Sequence, residues 1–225
     1  MISPTTEELE FIRACRIDTQ EERFLEQCSI YGDFLYETNE TMNLTRIPPE
    51  EFWTKHICDS LSLAMRWEMP RDGHHVKMCD VGCGAGLPSL ILAAAFPGLF
   101  VTAVDSTGKK VTFVAKAAEK MSLTNLRTRH IRANEMARQS DYKHAFRLVT
   151  ARAVGTAETL LREASGLVAG NGALILYRTP AQAEPEAEWL ASQKKKIPFE
   201  LTEPLELPGA SVDAGTRLFL VMRPR

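Results

Sequence analysis

The chain reads as an α/β protein, a doubly wound and mainly parallel sheet behind a helical N-terminal extension, and three observations predict it. Residues 76–88, Val-Lys-Met-Cys-Asp-Val-Gly-Cys-Gly-Ala-Gly-Leu-Pro, pass from an apolar strand through a glycine turn into a helix start. From there onward, short apolar runs alternate with helical patterns, which is how βαβ units read. The 225 residues, 44% of them hydrophobic, fill one such core but not two full α/β domains.

Taken in order, the N-terminal octet Met1 to Glu8 is polar and acidic, unlike a secretory signal. No apolar run approaches the ~20 residues that span a bilayer. Residues 19–31 place Phe24, Leu25, Cys28 and Tyr31 on one helical stripe. Pro48 and Pro49 open a second helix, with acids in its first turn, that turns Phe52, Trp53, Ile57, Leu61 and Leu63 towards a core. Residues 1–72 are therefore expected to form an extension packed on a sheet domain of residues 73–225. Pro88 suits the first turn of the helix through residues 90–96, because its missing N–H costs nothing there. Strands are expected at 100–105, 126–131, 146–151 and 173–177, with helices at 109–121 and 156–168, the latter closed by Gly170-Asn171-Gly172. A charged helix at 184–196 ends in Lys194-Lys195-Lys196, a solvated terminus favoured by the helix dipole. Strands at 199–207 and 217–222, joined by a loop at 208–215, complete the sheet.

The net charge of −2 conceals an asymmetry. Residues 1–60 hold 13 Asp and Glu against 5 Lys and Arg, whereas residues 106–152 hold 3 against 11. A basic field on one part of an acidic protein is the footprint expected for a nucleic-acid partner, although solvated helix faces give the same count. Five cysteines, an odd number, point to a reducing compartment, the cytoplasm. Cys79, Cys83, His74 and His75 make a poor tetrahedral set, so no metal is expected.

The glycine turn does not supply the dinucleotide fingerprint, because Leu87 or Ser89 stands where its third glycine belongs. That disfavours a nicotinamide oxidoreductase. Asp80, Gly82, Gly84 and Gly86 instead resemble the first motif of methyltransferases that use S-adenosylmethionine (SAM). The next strand ends in Asp105, whose acceptor-only carboxylate can take both hydroxyl protons of a ribose.

Several further strings resemble one family. They are Asn43-Leu44-Thr45-Arg46, Lys55-His56-Ile57-Cys58-Asp59-Ser60-Leu61, the Asp80 to Pro88 turn, Asp105-Ser106-Thr107-Gly108-Lys109-Lys110, and Thr150-Ala151-Arg152-Ala153-Val154. Together they are similar to the glucose-inhibited division protein B family, RsmG, the bacterial 16S ribosomal RNA guanine-N7 methyltransferases. The resemblance runs from about Glu21 to the C-terminus. It implies a seven-stranded, class I SAM-dependent methyltransferase fold and small-subunit RNA, or the 30S particle, as partner of a cytoplasmic monomer. Residue by residue, it implies that Gly82 and Leu87 cradle SAM, Asp105 and Ser106 face its ribose, Ala133 and Asn134 flank its adenine, and Arg152 lies beside the methyl donor. Ser89, Gly155 and the string Tyr177-Arg178-Thr179-Pro180 depart from the family's usual residues.

Guanine N7 is a lone pair without a proton, so its methylation needs alignment rather than a general base. The chain agrees by lacking both the Pro-Cys nucleophile of cytosine-C5 chemistry and the Asn-Pro-Pro-aromatic tetrad of exocyclic-amine chemistry. Arg152 is then the candidate catalytic residue, directed at guanine O6, a phosphate or the SAM carboxylate. Asn43, Arg46, His56 and Asp59 are expected to close over the acceptor, unless His56 and Asp59 merely fix the N-terminal helices. Lys109, Lys110 and Arg132 are expected to meet phosphates. A methyltransferase of small molecules, or a non-catalytic RNA-binding protein, is the alternative reading.

Overall fold

The computed structural model describes residues 3–71, 73–193, 197–209 and 215–223. It begins with a helix not read from the sequence, α1 (Thr6–Ala14), which Thr5 and Glu8 start with a reciprocal capping box. Helix α2 (Glu21–Met42) extends the expected stripe and buries Phe24, Cys28, Tyr31 and Leu35. Asn43 ends it in the left-handed region, at φ 51°.

The next segment corrects the expected α-helix. A 3₁₀ turn at Pro49–Glu51 leads into a π-helical stretch, Trp53–Cys58, then α3 (Asp59–Leu61) and a second 3₁₀ turn, Ser62–Met65. Phe52, Trp53, Ile57, Leu61 and Leu63 are all buried, as expected, but so are Thr54, His56, Cys58, Asp59, Ser60 and Ser62. A segment covered on nearly every side shows no 3.6-residue stripe to read.

The sheet comprises β1 (Val76–Val81), β2 (Leu99–Asp105), β3 (Leu126–His130), β4 (Phe146–Arg152), β5 (Val168–Arg178), β6 (Phe199–Leu201), β7 (Leu205–Glu206) and β8 (Thr216–Met222). Its order is β3-β2-β1-β4-β5-β8-β6, with the two-residue β7 also pairing to β8. The first five strands are parallel and β8 is antiparallel to β5. The expected strand at 199–207 is thus two short pieces, with Pro204, which has no N–H to donate, in the break.

Helices α4 (Ser89–Ala95), α5 (Gly108–Lys120), α6 (Ala133–Met136), α7 (Ala157–Ala164) and α8 (Pro180–Ser192) connect the strands. Both sheet faces are covered. Met78, Leu148 and Ile175 join one apolar cluster with α1, α2, α4 and α5, while Cys79, Val149 and Leu174 join the other. That is the period of two expected along strands buried on both sides.

Two further expectations are corrected. Helix α7 ends before a 3₁₀ turn at Ser165–Leu167, and Gly170-Asn171-Gly172 lies inside β5. There the register with β4 slips, and a Cβ at Gly172 would stand 2.8 Å from the Phe146 carbonyl oxygen. These glycines permit close backbone approach within a strand rather than closing a helix. The helix read at 184–196 starts earlier, at Pro180, and Lys194-Lys195-Lys196, like most of the loop read at 208–215, lies outside the described residues. All five cysteines are buried and unpaired.

Candidate active site

The strand order reverses between β2-β1 and β4, and open α/β sheets bind ligands at the carboxyl edge of that switch point. A cavity of about 600 Å³ lies there. Its walls are the glycine turn after β1 and the segments that follow β2, β3 and β4. Residues 44–47 and His56 reach it from the N-terminal segment.

The turn needs glycine for two different reasons. Gly82 and Gly86 have φ of +71° and +88°, a region that L side chains rarely enter. A Cβ at Gly82 would also lie 2.5 Å from Val154 Cγ2, and one at Gly86 would lie 2.4 Å from Leu90 Cδ1. Tyr31 of α2 braces the turn by donating its hydroxyl to the Ala85 carbonyl at 2.9 Å.

Asp80 does not face the cavity. It is 1% exposed, behind the turn, and accepts hydrogen bonds from the hydroxyls of Ser89 and Thr150. Burial pushes its carboxyl up to about 7, against the opposing effect of those two hydroxyls. The sequence reading of Asp80 as a cofactor contact becomes that of a buried brace. Ser89, the departure from the usual glycine, is one of its two donors. Gly86 likewise shapes the turn without lining the cavity.

Asp105 and Ser106 do line it. Asp105 accepts the Gly84 N–H at 3.1 Å and the Thr107 N–H at 2.8 Å, which fixes the carboxylate. A carboxylate offers about four acceptor sites, so room remains for a diol. Ala133 is in the wall, whereas Asn134 is beside it, with a buried Oδ1 that has no hydrogen-bond partner. A turn whose lining glycine Gly82 has no room for a Cβ, a fixed carboxylate and an orphaned buried acceptor fit an adenosine-containing cofactor such as SAM.

At the opposite end Arg152 lines the cavity and donates from Nη1 to Asp59 Oδ2 at 2.6 Å and to the Lys55 carbonyl at 3.2 Å. Arg217 of β8 takes the other side of the same carboxylate, with Nε 2.6 Å from Oδ1 and Nη2 3.0 Å from Oδ2. Asp59, 3% exposed and held by two guanidinium groups, is thus a support for Arg152 rather than a wall residue. Arg217 was not read from the sequence, because nothing local marks an arginine at the start of the last strand.

His56 shares hydrogen bonding with the Thr45 hydroxyl at 3.1 Å, and its Nδ1 is buried without a partner. Burial, reinforced by the Arg152 charge, lowers its pKa to about 3. The ring is therefore neutral at physiological pH and a weak base. Arg46, Lys110 and Arg132 stand in the wall. Asn43 and Lys109 do not: Asn43 is the exposed left-handed cap of α2, and Lys109 is exposed on α5.

The loop after β4 is held from behind. Arg178, 2% exposed, donates to the Gly155 carbonyl at 2.9 Å and pairs with Glu186 of α8 at 2.7 Å. Glu186 also accepts the Ala157 N–H at 3.2 Å. The sequence departure at Arg178 is therefore a buried tie between β5, α8 and the segment that follows Arg152. Among the described residues, no three His, Cys, Asp or Glu are grouped to hold a metal, and no helix is long and apolar enough to cross a membrane.

Comparison with known proteins identifies the family. The family described as rRNA small subunit methyltransferase G matches residues 24–212. "Ribosomal RNA small subunit methyltransferase G" of Bacillus subtilis is 39% identical over 176 residues, covering 78% of this chain and 71% of that one. Its namesake from Lactobacillus delbrueckii is 36% identical over 190 residues, covering 83% and 78%. Among solved structures, a SAM-dependent O-methyltransferase from Thermotoga maritima superposes with a TM-score of 0.57 at 16% identity, covering 85% of this chain and 71% of that one, a likeness of fold. With residues 24–212 matched to the family and relatives 36–39% identical over most of its length, the chain belongs to the rRNA small subunit methyltransferase G family.

Proposed function

We propose that this protein transfers a methyl group from SAM to N7 of a guanine in 16S ribosomal RNA, as free RNA or in the 30S particle. The observation that carries the choice of N7 is that, among the described residues, neither titratable group packed about Arg152, His56 or Asp59, is placed to act as a base, while the cavity's carboxylates, Asp105 and Glu163, belong to the end of β2 and to α7. The one imidazole in the wall, His56, has its pKa lowered to about 3, and Asp59 is saturated by two arginines. A general base works best with a pKa near the operating pH, so this wall suits an acceptor that has no proton to lose.

When bound, SAM supplies an electrophilic methyl group on a sulfonium sulfur. The residues of the chain position the partners. Gly82, Gly84 and Leu87 form the floor, Asp105 and Ser106 take the ribose, and Ala133 with Asn134 flanks the adenine. Arg152, steadied by Asp59, donates to guanine O6, a phosphate or the cofactor carboxylate. Alignment of this kind accounts for up to ~7–11 kcal/mol of barrier lowering in favourable cases. Arg46, Lys110 and Arg132 receive the RNA backbone, and residues 1–72 roof the cleft built by residues 73–225. Buried free thiols suit a reducing cytoplasm, and the protein acts as a monomer.

The test is methyl transfer by purified protein to small-subunit RNA, to 30S particles and to a panel of metabolites, with the product nucleotide mapped. N7-methylguanosine at one position in RNA is expected. Transfer to a metabolite with none to RNA would replace this reading with that of a small-molecule enzyme.

A further inference from the structure

Away from the cleft, a large apolar side chain lies exposed at the amino end of β2. Phe100 of β2 is 44% exposed, one of two exposed large apolar side chains among the described residues. Its neighbour across the strand pair is Lys77 of β1, also exposed. His75 meets the Phe100 ring edge-on at 5.0 Å. Next to them, Thr102 of β2 pairs in register with Arg127 of β3. A groove of about 240 Å³ lies among Lys77, Phe100, Arg127 and Asn125, and among the described residues no Asp or Glu lines it.

Among the described residues, the arginines here are ordered without a carboxylate partner. Arg127 and Arg129 share a face of β3, the edge strand, because side chains alternate. Arg127 Nε donates to the Thr102 hydroxyl at 3.1 Å, and its guanidinium lies 5.7 Å from the Tyr142 ring centroid. Arg129 Nε donates to the Tyr142 hydroxyl at 2.9 Å. Tyr142, 9% exposed, thus holds two arginines through a ring and a hydroxyl rather than a carboxylate, and both charges stay available to an anion. Pre-ordered side chains lose less entropy on binding than free ones. Asp105 lies five positions beyond Phe100 on β2, so the groove is roughly 17 Å from the cleft at ~3.3 Å per residue. Beyond Arg129, the chain runs on to Arg132 in the cleft wall.

We propose that this face is a second RNA contact, in which Arg127 and Arg129 bind phosphates and the Phe100 ring stacks an unpaired base. The inference rests on RNA being the acceptor. Base stacking on an exposed aromatic ring, flanked by arginines that track the backbone, is how proteins hold single strands without reading their sequence. The strand so held runs along β3 towards the cleft, with the acceptor nucleotide beyond its immediate neighbours.

Two probes test this: a transcript of the whole small-subunit RNA, and a short oligonucleotide with only the target guanine and its immediate neighbours. Phe100→Ala should weaken transcript binding about 5-fold or more, the lower end for one stacked base. Arg127→Gln with Arg129→Gln should flatten the salt dependence of transcript binding by about 1.4, at ~0.7 per single-strand phosphate contact. Tyr142→Phe, which keeps the ring and removes the hydroxyl ordering Arg129, should do so in smaller measure. SAM affinity, oligonucleotide binding and turnover at saturating transcript should match wild type in all three. If wild type methylates the transcript and every variant binds it with unchanged affinity and salt slope, the charges only guard the edge strand and the proposal is overturned. Wild-type protein that binds the transcript without methylating it would overturn the acceptor reading, while the variants still decide the contact. Wild-type protein that does not bind RNA at all would overturn both.

Discussion

Arg152 Nη1 lies 2.6 Å from Asp59 Oδ2, which joins the end of the fourth strand to a helix 93 residues earlier in the chain. Because Arg217 occupies the other carboxylate oxygen, Asp59 is shared, and the three groups carry a net positive charge at the cavity wall. Arg152→Ala should reduce the methylation rate at least ~100-fold, the scale of losing a group that positions or stabilises the reacting centre. Single-turnover rates at saturating SAM and RNA decide it, and a rate within a few-fold of wild type would remove Arg152 from the mechanism.

Asp105 is fixed by two backbone N–H groups, so its loss should be felt first in the cofactor. Asp105→Ala should weaken SAM binding by about 1.5–3 kcal/mol, as for hydrogen bonds to a charged group. Calorimetry on the folded variant checks this. Unchanged affinity with a lower melting temperature would make Asp105 a cap of its own turn.

At Gly82, dihedral strain and collision with Val154 can be separated. Gly82→Ala should lower SAM affinity, and adding Val154→Ala should restore part of it by removing the atom 2.5 Å from the new Cβ. No recovery in the double variant, measured by the same titration, would assign the whole effect to the positive φ.

Asp80 should leave a signature in stability against pH. Its folded pKa, about 7, is above the ordinary value of 3.8. Between those values the folded state binds the proton more than the unfolded state does, so this group's contribution to stability falls as pH rises from about 4 to about 7 and then levels. Asp80→Asn cannot titrate. Its melting temperature relative to wild type should therefore climb across that window and flatten above it. A difference that does not vary with pH would mean that Asp80 is charged throughout in the native protein.

Lys110 and Arg132 stand in the cleft wall and Lys109 does not. Neutralising Lys110 and Arg132 to glutamine should flatten the salt dependence of RNA binding by about 0.7 each. The same change at Lys109 should do less. Equal slopes for all three would make them a diffuse field rather than discrete contacts.

The architecture was legible where chemistry is local. Strand alternation, the glycine turn and the terminal carboxylate of β2 each declare themselves within a few residues, and those parts of fold and cleft were read from the sequence. What escaped depends on distant partners. Asp59 reads as a substrate contact until Arg217 is brought to it from 158 residues away. Asp80 reads as a ligand residue until Thr150 and Ser89 close over it. The segment at 53–58 defeated helical periodicity because burial on nearly every side erases the contrast between faces. Gly170 to Gly172 read as a stop signal because the carbonyls they approach belong to another strand.

The tie between Arg178 and Gly155 decides when the orientation of Arg152 is set. Because the Gly155 carbonyl, the Ala157 amide, Glu186 and Arg178 lock together on folding, the segment after β4 is immobilised before any acceptor arrives. Such a wall does not close around its guest. An acceptor must fit a surface already in place, and the entropy of ordering this loop is absent from the encounter.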